Sequence, residues 1–141
     1  MEEIGAPDYD EADFALASKF YHETATPDEM EAKRANMRRM FGANHIEEIE
    51  AHPLHTGIAP LVWNGKVQAG STDVGDASYV IPTSMCSTAT APLGSAAHTW
   101  QMTAHGNTEI AHKAMLNAGE AMALAALKTM ESPEILKKAH D

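Results

Sequence analysis

A long helical pattern near the end of the chain most constrains what it can fold into. From Thr108 to about Met130, apolar residues recur at the three- and four-residue spacing of an α-helix. The apolar positions are Ala111, Met115, Ala118, Met122 and Leu124–Leu127. The many alanines and Gly119 permit close packing against a neighbouring element. The pattern predicts one long helix whose methionines belong to the core.

Two further helices are predicted in the first third of the chain. Asp8–Glu23 has apolar residues at helical spacing and acidic residues in its first turn, where they favour a helix start. Thr26 suits an N-cap and Pro27 suits the first helical position. A second helix is therefore predicted from Pro27 to Met40 or Phe41, with Gly42 as its end.

The middle of the chain is nearly uncharged. Leu61–His105 is rich in glycine, serine and threonine, which indicates a buried or site-lining region. Short strands are predicted at Leu61–Trp63, Lys66–Val67, Tyr79–Ile81 and Met85–Thr90. The first two flank Asn64-Gly65, a strong turn dipeptide. Helices around a small set of strands predict an α/β fold.

Composition excludes several functional classes. The 141 residues suit one domain, and the net charge of -10 would repel a nucleic-acid backbone. No apolar stretch is long enough to span a membrane. The N-terminal sequence lacks the pattern of a secretory signal, and the single cysteine, Cys86, permits no internal disulfide. A cytoplasmic protein without nucleic-acid or membrane partners is expected.

Four motifs together carry a family resemblance. They are "GAPDYDEADFA", "GSTDVGDASYVIPT", "GSAAHTWQ" and "IAHKAMLNAGEAMA". In this order they resemble the C-terminal part of the amidohydrolase branch of the aminoacylase and carboxypeptidase-like metallopeptidases. The resemblance implies that residues 1–141 are a single partial catalytic domain, the C-terminal segment of a zinc-peptidase-like three-layer α/β fold. It also implies that a lid domain and the N-terminal half are absent from this chain.

The same resemblance implies an activity. Members of the branch hydrolyse an amide bond between an acyl or aryl group and an amino acid, and a substrate of the p-aminobenzoyl-glutamate type is expected. A divalent metal, zinc or manganese, belongs to the complete enzyme and is not required in this chain alone. The isolated chain is expected to be inactive without a companion N-terminal half or a homo-oligomeric partner. The alternative is a non-enzymatic interaction or oligomerisation module that retains this part of the fold.

His98 is the first candidate for a metal ligand. It follows the small residues "LGSAA", which let backbone approach a metal closely, and the resemblance implies that it supplies the last histidine ligand. His105 is an alternative, because its spacing to Gly119 resembles the spacing between the last ligand and a glycine in other branches. His112, in the first turns of the long helix, is another. A lone histidine is more often a hydrogen-bonded structural residue.

Three polar residues are candidates for supporting the metal site or lining its pocket. Asp73 and Asp76 stand three apart, where other branches carry an acidic pair, and one of them could orient a ligand histidine. Aspartate is also an ordinary turn residue, so both could simply hold the backbone. Gln101 follows His98 closely and could help to order it.

Other residues with potential chemistry have simpler interpretations. His52 and His55 could hold a metal at their spacing, but Pro53 disfavours a regular helix face and a solvated loop is favoured. Cys86 lies in a predicted strand and is interpreted as a packing residue.

Overall fold

The computed structural model describes residues 1–24, 26–41, 46–58 and 72–140. Within these ranges the chain forms helices and no strand. The helices are α1 (Glu11–Glu23), α2 (Pro27–Phe41), α3 (Ile46–Ala51), α4 (Val74–Ser78), α5 (Trp100–His105), α6 (Glu109–Glu131) and α7 (Pro133–His140).

A reciprocal capping box begins α1. The Asp10 side chain accepts hydrogen bonds from the backbone N–H groups of Ala12 at 2.9 Å and Asp13 at 3.1 Å. The Asp13 carboxylate in turn accepts the backbone N–H of Asp10 at 3.0 Å. Because these bonds satisfy N–H groups that have no intrahelical partner, they define where the helix begins. The helix predicted over Asp8–Glu23 is confirmed, with its first helical residue at Glu11.

The same arrangement begins α2. The Glu29 carboxylate accepts the backbone N–H of Thr26 at 2.7 Å and its hydroxyl at 2.9 Å, while the Thr26 hydroxyl oxygen accepts the Glu29 N–H at 3.3 Å. Pro27 occupies the first helical position. The predicted cap and the predicted extent to Phe41 are both confirmed. Gly42, the predicted end signal, lies outside the described residues.

A small core joins α1 to α6. Its buried members are Tyr9, Ala17, Leu54 and Ile110. The Tyr9 hydroxyl donates a hydrogen bond to the backbone carbonyl of Ala89, which attaches the irregular segment between α4 and α5 to this core. Burial raises the pKa of Tyr9 to about 12.

A lysine binds the start of α1 to α6 beside this core. The Lys113 ammonium lies 2.7 Å from Asp10 Oδ2 and 2.6 Å from Asp13 Oδ2. The Asp13 side chain is 4% exposed. These hydrogen bonds raise the pKa of Lys113, and the bond from Lys113 lowers the pKa of Asp10. The capping box of α1 therefore also serves as a tertiary contact.

The predicted long helix is confirmed as α6, but the prediction of its buried face is wrong. Thr108 caps it by accepting the Ala111 N–H at 3.4 Å. The buried positions are Ile110, Ala111, Ala114, Asn117 and Ala121, whereas Met115 and Met122 are mostly exposed. The predicted positions stand one residue later than most of the buried ones, a shift that rotates the expected face by about 100°. Within the described residues, no helix is both long and apolar enough to cross a membrane.

The α/β prediction is contradicted, because the described part of the chain has no sheet. Tyr79–Ile81, predicted as a strand, follows α4 in a turn, where the N–H groups of Val80 and Ile81 both donate to the Ala77 carbonyl. Met85–Thr90, also predicted as a strand, has no ladder partner in residues 1–58 or 72–140 that the structure describes. β-Branched residues favour extended backbone, but a strand also requires a neighbour, and the described residues supply none. The predicted hairpin at residues 61–67 lies outside the described residues.

Four of the large apolar side chains that the described residues expose lie in the segment that follows α4. Tyr79 is 88% exposed, Val80 78%, Ile81 57% and Met85 73%. We call residues 79–85 the apolar segment. Monomeric proteins seldom expose so many large apolar side chains together, so the apolar segment has the character of an interaction surface.

Candidate functional site

The loop that carries His98 has an unusual backbone conformation. Gly94 has φ 78° and His98 has φ 61°, so both lie in the left-handed region. Glycine adopts this region readily, but a residue with a side chain does so at a cost. The loop is attached to the rest of the molecule by the Leu93 N–H, which donates to the Pro53 carbonyl at 2.6 Å. The anchored loop therefore holds a non-glycine residue in a conformation that carries a cost.

Thr99 ends this loop and begins α5. Its side-chain oxygen accepts the Met102 N–H at 3.3 Å and its hydroxyl donates to the Ala96 carbonyl at 2.8 Å. These bonds hold the residue next to His98 from both sides. The His98 side chain itself is exposed. The local geometry therefore presents one imidazole outward on a constrained backbone.

Gln101 has a structural contact. Its side-chain amide donates to the Thr24 carbonyl at 3.1 Å, at the end of α1. This bond ties α5 to α1 across a cavity of about 350 Å³ that both residues line. The prediction that Gln101 helps to order His98 stays a prediction, because the hydrogen bond of its amide runs to Thr24.

His105 projects into the same cavity and is almost completely enclosed. It is 1% exposed, and neither ring nitrogen has a hydrogen-bond partner among the described residues. Its ring lies 4.2 Å from that of Phe20, centroid to centroid. Burial, reinforced by the positive charge of Lys33, lowers the pKa of His105. A neutral imidazole with two unused nitrogens therefore lines the cavity.

Lys33 and Glu29 bring opposite charges to the cavity wall. The Lys33 ammonium lies 5.1 Å from the centroid of the Tyr21 ring, and burial lowers its pKa. Bonds from Thr26 lower the pKa of Glu29, whose carboxylate is thereby engaged at the start of α2. The sequence does not single out Lys33, because α2 contains many charged residues and their spacing does not show which of them lines a cavity.

Asp73 and Asp76 lie in a different part of the molecule from the cavity wall. Both are exposed, on or beside the short helix α4, and neither lines the cavity. Asp73 stands at the N-cap of α4 without a side-chain capping bond, and its carbonyl accepts the Asp76 N–H at 3.1 Å. The contact between the two aspartates is thus a backbone hydrogen bond within a turn. The prediction that either orients a ligand histidine stays a prediction.

The other histidines that the sequence offered as metal ligands are dispersed. His112 is exposed on α6, with Nδ1 3.5 Å from Glu109 Oε1. His52 is exposed and His55 half-buried, in the loop after α3. The described residues contain no group of three or more histidine, cysteine, aspartate or glutamate side chains that could hold a metal. His98, His105 and His112 therefore do not form one metal site within this chain.

Cys86 is exposed, so the interpretation of it as a buried packing residue is wrong. The reason is that the described residues form no sheet. A residue in a central strand would be covered on both faces, whereas Cys86 lies in an irregular segment that has no neighbouring strand in the described part of the chain.

One curated protein agrees with the motif-based resemblance. The chain is similar to a subunit of p-aminobenzoyl-glutamate hydrolase from Escherichia coli (strain K12), with 31% identity over an alignment of 130 residues. The motif-based resemblance is confirmed. The match covers 87% of this chain and 26% of the relative, a coverage consistent with a C-terminal segment. No family model matches the chain, and no solved structure matches it.

Proposed function

We propose that this chain is the C-terminal segment of a metal-dependent amidohydrolase. The complete enzyme would cleave the amide bond between an aryl or acyl group and an amino acid, with p-aminobenzoyl-glutamate as the type of substrate. The observation that carries the proposal is the similarity, over 87% of this chain, to a protein named as a subunit of p-aminobenzoyl-glutamate hydrolase. Because the chain spans about a quarter of that relative, the activity belongs to the complete assembly.

His98 would contribute one ligand to the zinc or manganese of that assembly. Its exposed imidazole and strained backbone support this role. A catalytic metal normally has three protein ligands, and the described residues bring no such set together. The described donors thus do not fit a complete site, and the isolated chain would be inactive.

A companion polypeptide would supply the remaining ligands. The exposed apolar segment supports this part of the proposal, because a partner that covered it would remove large apolar side chains from water. The name of the relative identifies it as one subunit of a hydrolase. A reducing cytoplasm suits such an assembly, since Cys86 is a free, exposed thiol.

The alternative function is a non-enzymatic oligomerisation module. The same apolar segment favours it, because a second copy of the chain could cover the same surface. The two functions differ in whether a companion restores hydrolysis.

Co-expression tests the proposal directly. The companion would correspond to the part of the relative that lies outside the match, and hydrolysis of p-aminobenzoyl-glutamate would be measured. We expect activity only in the mixture, with metal bound at stoichiometric level by elemental mass spectrometry. His98→Ala should abolish activity and reduce the metal content, whereas His112→Ala, a change at an exposed histidine outside the loop, should do neither.

The contrary results are equally specific. If the co-purified mixture stays inert while the isolated chain forms a stable oligomer, the oligomerisation module is the better description. If His112→Ala removes the metal and His98→Ala does not, the ligand assignment is wrong although the function stands.

A further inference from the structure

The side of α6 that faces away from the core is apolar and is not covered by the described residues. Five large apolar side chains of this helix are more than half exposed, namely Met115, Leu116, Met122, Leu127 and Met130. At about 100° per residue they lie within an arc of about 140°, centred nearly opposite the buried residues of the same helix. The outer side of a surface helix is normally polar, so this face has the character of an interface.

Gly119 lies in the middle of this face, and packing within the described chain does not account for it. Glycine is the least favourable residue inside a helix after proline, because it loses the most backbone freedom on folding. A helical glycine is explained where a neighbour packs too closely for a side chain. At Gly119, however, a Cβ would meet no atom of the described residues within 4 Å beyond the backbone of its own helix. The position therefore leaves room for a second element to approach α6 closely.

The residues around Gly119 fit a second copy of the same helix. In an antiparallel pair with its two-fold axis at Gly119, each position faces the position at an equal distance on the other side. Met115 then meets Ala123, which is four residues away, and His112 meets Ala126, which is seven away. All four residues are exposed. Large side chains thus meet small ones, which is the self-complementarity that a two-fold interface requires.

The exposed area is enough for a weak dimer. At roughly 100 Å² for each half-exposed large side chain, the five side chains offer about 500 Å² on each copy. The total from two copies reaches about 1,000 Å², the lower limit for a specific interface. The net charge of -10 on each copy opposes association. We therefore expect a Kd on the order of 10 µM, which decreases when salt screens the repulsion.

We propose that two copies of this chain associate through the exposed face of α6, with the helices antiparallel and Gly119 at their point of closest approach. The inference does not rest on the proposed function, because the dimer needs neither a metal nor a companion. Hydrolysis by the co-expressed mixture still decides between the two functions above.

Sedimentation equilibrium of the full chain tests the proposal, with two glycine substitutions as a matched pair. Gly119→Leu should raise the Kd tenfold or more, because the new side chain occupies the point of closest approach. Gly75→Leu should leave the Kd unchanged. Gly75 is likewise a half-buried glycine in a helix with no atom within 4 Å of a Cβ, but it lies in α4.

Thermal unfolding separates a lost interface from a damaged fold. At concentrations where the chain is monomeric, Gly119→Leu should have a Tm no lower than that of the unmodified chain, since leucine favours a helix more than glycine does.

Cross-linking tests the orientation of the two helices. In a Cys86→Ser background, a mixture of Met115→Cys and Ala123→Cys chains should form disulfide-linked dimers several-fold faster than either chain alone. The antiparallel register places these two positions opposite each other, whereas two copies of the same position stand about 12 Å apart along the helix axis, too far for a disulfide.

Three results would overturn the inference. A chain that stays monomeric at about 200 µM, well above the expected Kd, would leave this face to the companion. An unchanged Kd for folded Gly119→Leu, or equal effects of the two leucine substitutions, would place the interface elsewhere. Cross-linking of Met115→Cys alone as fast as the mixture would contradict the antiparallel arrangement. If Gly119→Leu does not fold, the cross-linking comparison still decides.

Discussion

Two regions of the molecule use apolar residues in opposite ways. Between α1 and α6, Ala17 and Ile110 are completely buried, and Lys113 binds the two aspartates beside them. In the apolar segment, residues of the same chemical kind are more than half exposed. The contrast shows that the chain completes one packing interface by itself and leaves another open. A C-terminal segment of a larger catalytic domain would have this property.

The open region also explains why the described residues form no sheet. An extended segment gains stability from ladder hydrogen bonds and from burial of its side chains. Met85–Thr90 is held through the bond from Tyr9 to Ala89 and through the Thr88 hydroxyl, which donates to the Ala114 carbonyl at 3.0 Å. The first bond attaches this segment to the residue two positions before α1 and the second attaches it to α6, but neither makes it a strand. We expect a companion to supply the missing neighbour.

The largest expected effect on stability comes from a comparison of alanine substitutions at two isoleucines. Ile110→Ala should reduce the free energy of unfolding by about 3 kcal/mol, because it removes a completely buried side chain and leaves a cavity. Ile81→Ala should change it by less than about 0.5 kcal/mol, since 57% of that residue is already exposed. Urea denaturation measures both. Similar losses in the two variants would show that the apolar segment is packed in solution.

The second prediction concerns the charged contact beside the core. Asp13→Ala should destabilise the chain by about 2 kcal/mol, because it removes a buried partner of Lys113 and half of the capping box. Asp73→Ala, at an exposed cap without a side-chain bond, should cost less than about 0.5 kcal/mol. Thermal unfolding followed by circular dichroism checks the pair, and equal costs would contradict the role assigned to Asp13.

The third prediction is a pH dependence that originates in the cavity. The folded-state pKa of His105 is depressed below the unfolded value of 6.5, so the unfolded chain binds this proton more readily. Stability should therefore be complete above that value and fall as the pH drops through it towards the folded pKa, with a slope of at most about 1.4 kcal/mol per pH unit.

His105→Phe should remove this contribution, because phenylalanine fills similar space and does not titrate. Urea midpoints of the two proteins would be compared between about pH 7.5 and pH 5.5. An identical dependence in both proteins would mean that another group causes the loss of stability.

The smallest expected effect on stability lies in the apolar segment. Tyr79→Ser and Val80→Ser should change the free energy of unfolding by less than about 0.5 kcal/mol, because both side chains are largely in water already. The two substitutions should instead weaken the association of the chain with other polypeptides. Each should reduce self-association in sedimentation velocity and weaken capture of the companion. A marked loss of stability without any change in association would make the apolar segment a structural element of this chain.

Helix starts were predictable because the interactions that define them are local. The caps of α1, α2 and α6 each join residues no more than three positions apart, so the sequence contains both partners within one short window. Strands were not predictable in this way. The composition of Met85–Thr90 favours extended backbone, but whether it becomes a strand depends on a neighbour that the local sequence does not specify.

In the candidate site too, some features could be predicted from the sequence and others could not. The small-residue loop before His98 was visible in the sequence, whereas the left-handed backbone at His98 was not. The sequence makes His105 a candidate metal ligand, and the structure adds that it lines a cavity with Lys33 and Phe20. No spacing rule links these three residues, because they come from three different helices.

The amino-acid sequence alone specified the positions of the principal helices, the acidic character of the chain and its resemblance to one family of amidohydrolases. Tertiary packing was needed to establish which face of α6 is buried, which aspartates bind Lys113, and which buried histidine has no hydrogen-bond partner among the described residues. The distinction follows from the range of the interactions. Capping bonds form within one helical turn, whereas the contact between Lys113 and Asp10 joins residues 103 positions apart and exists only when the helices pack.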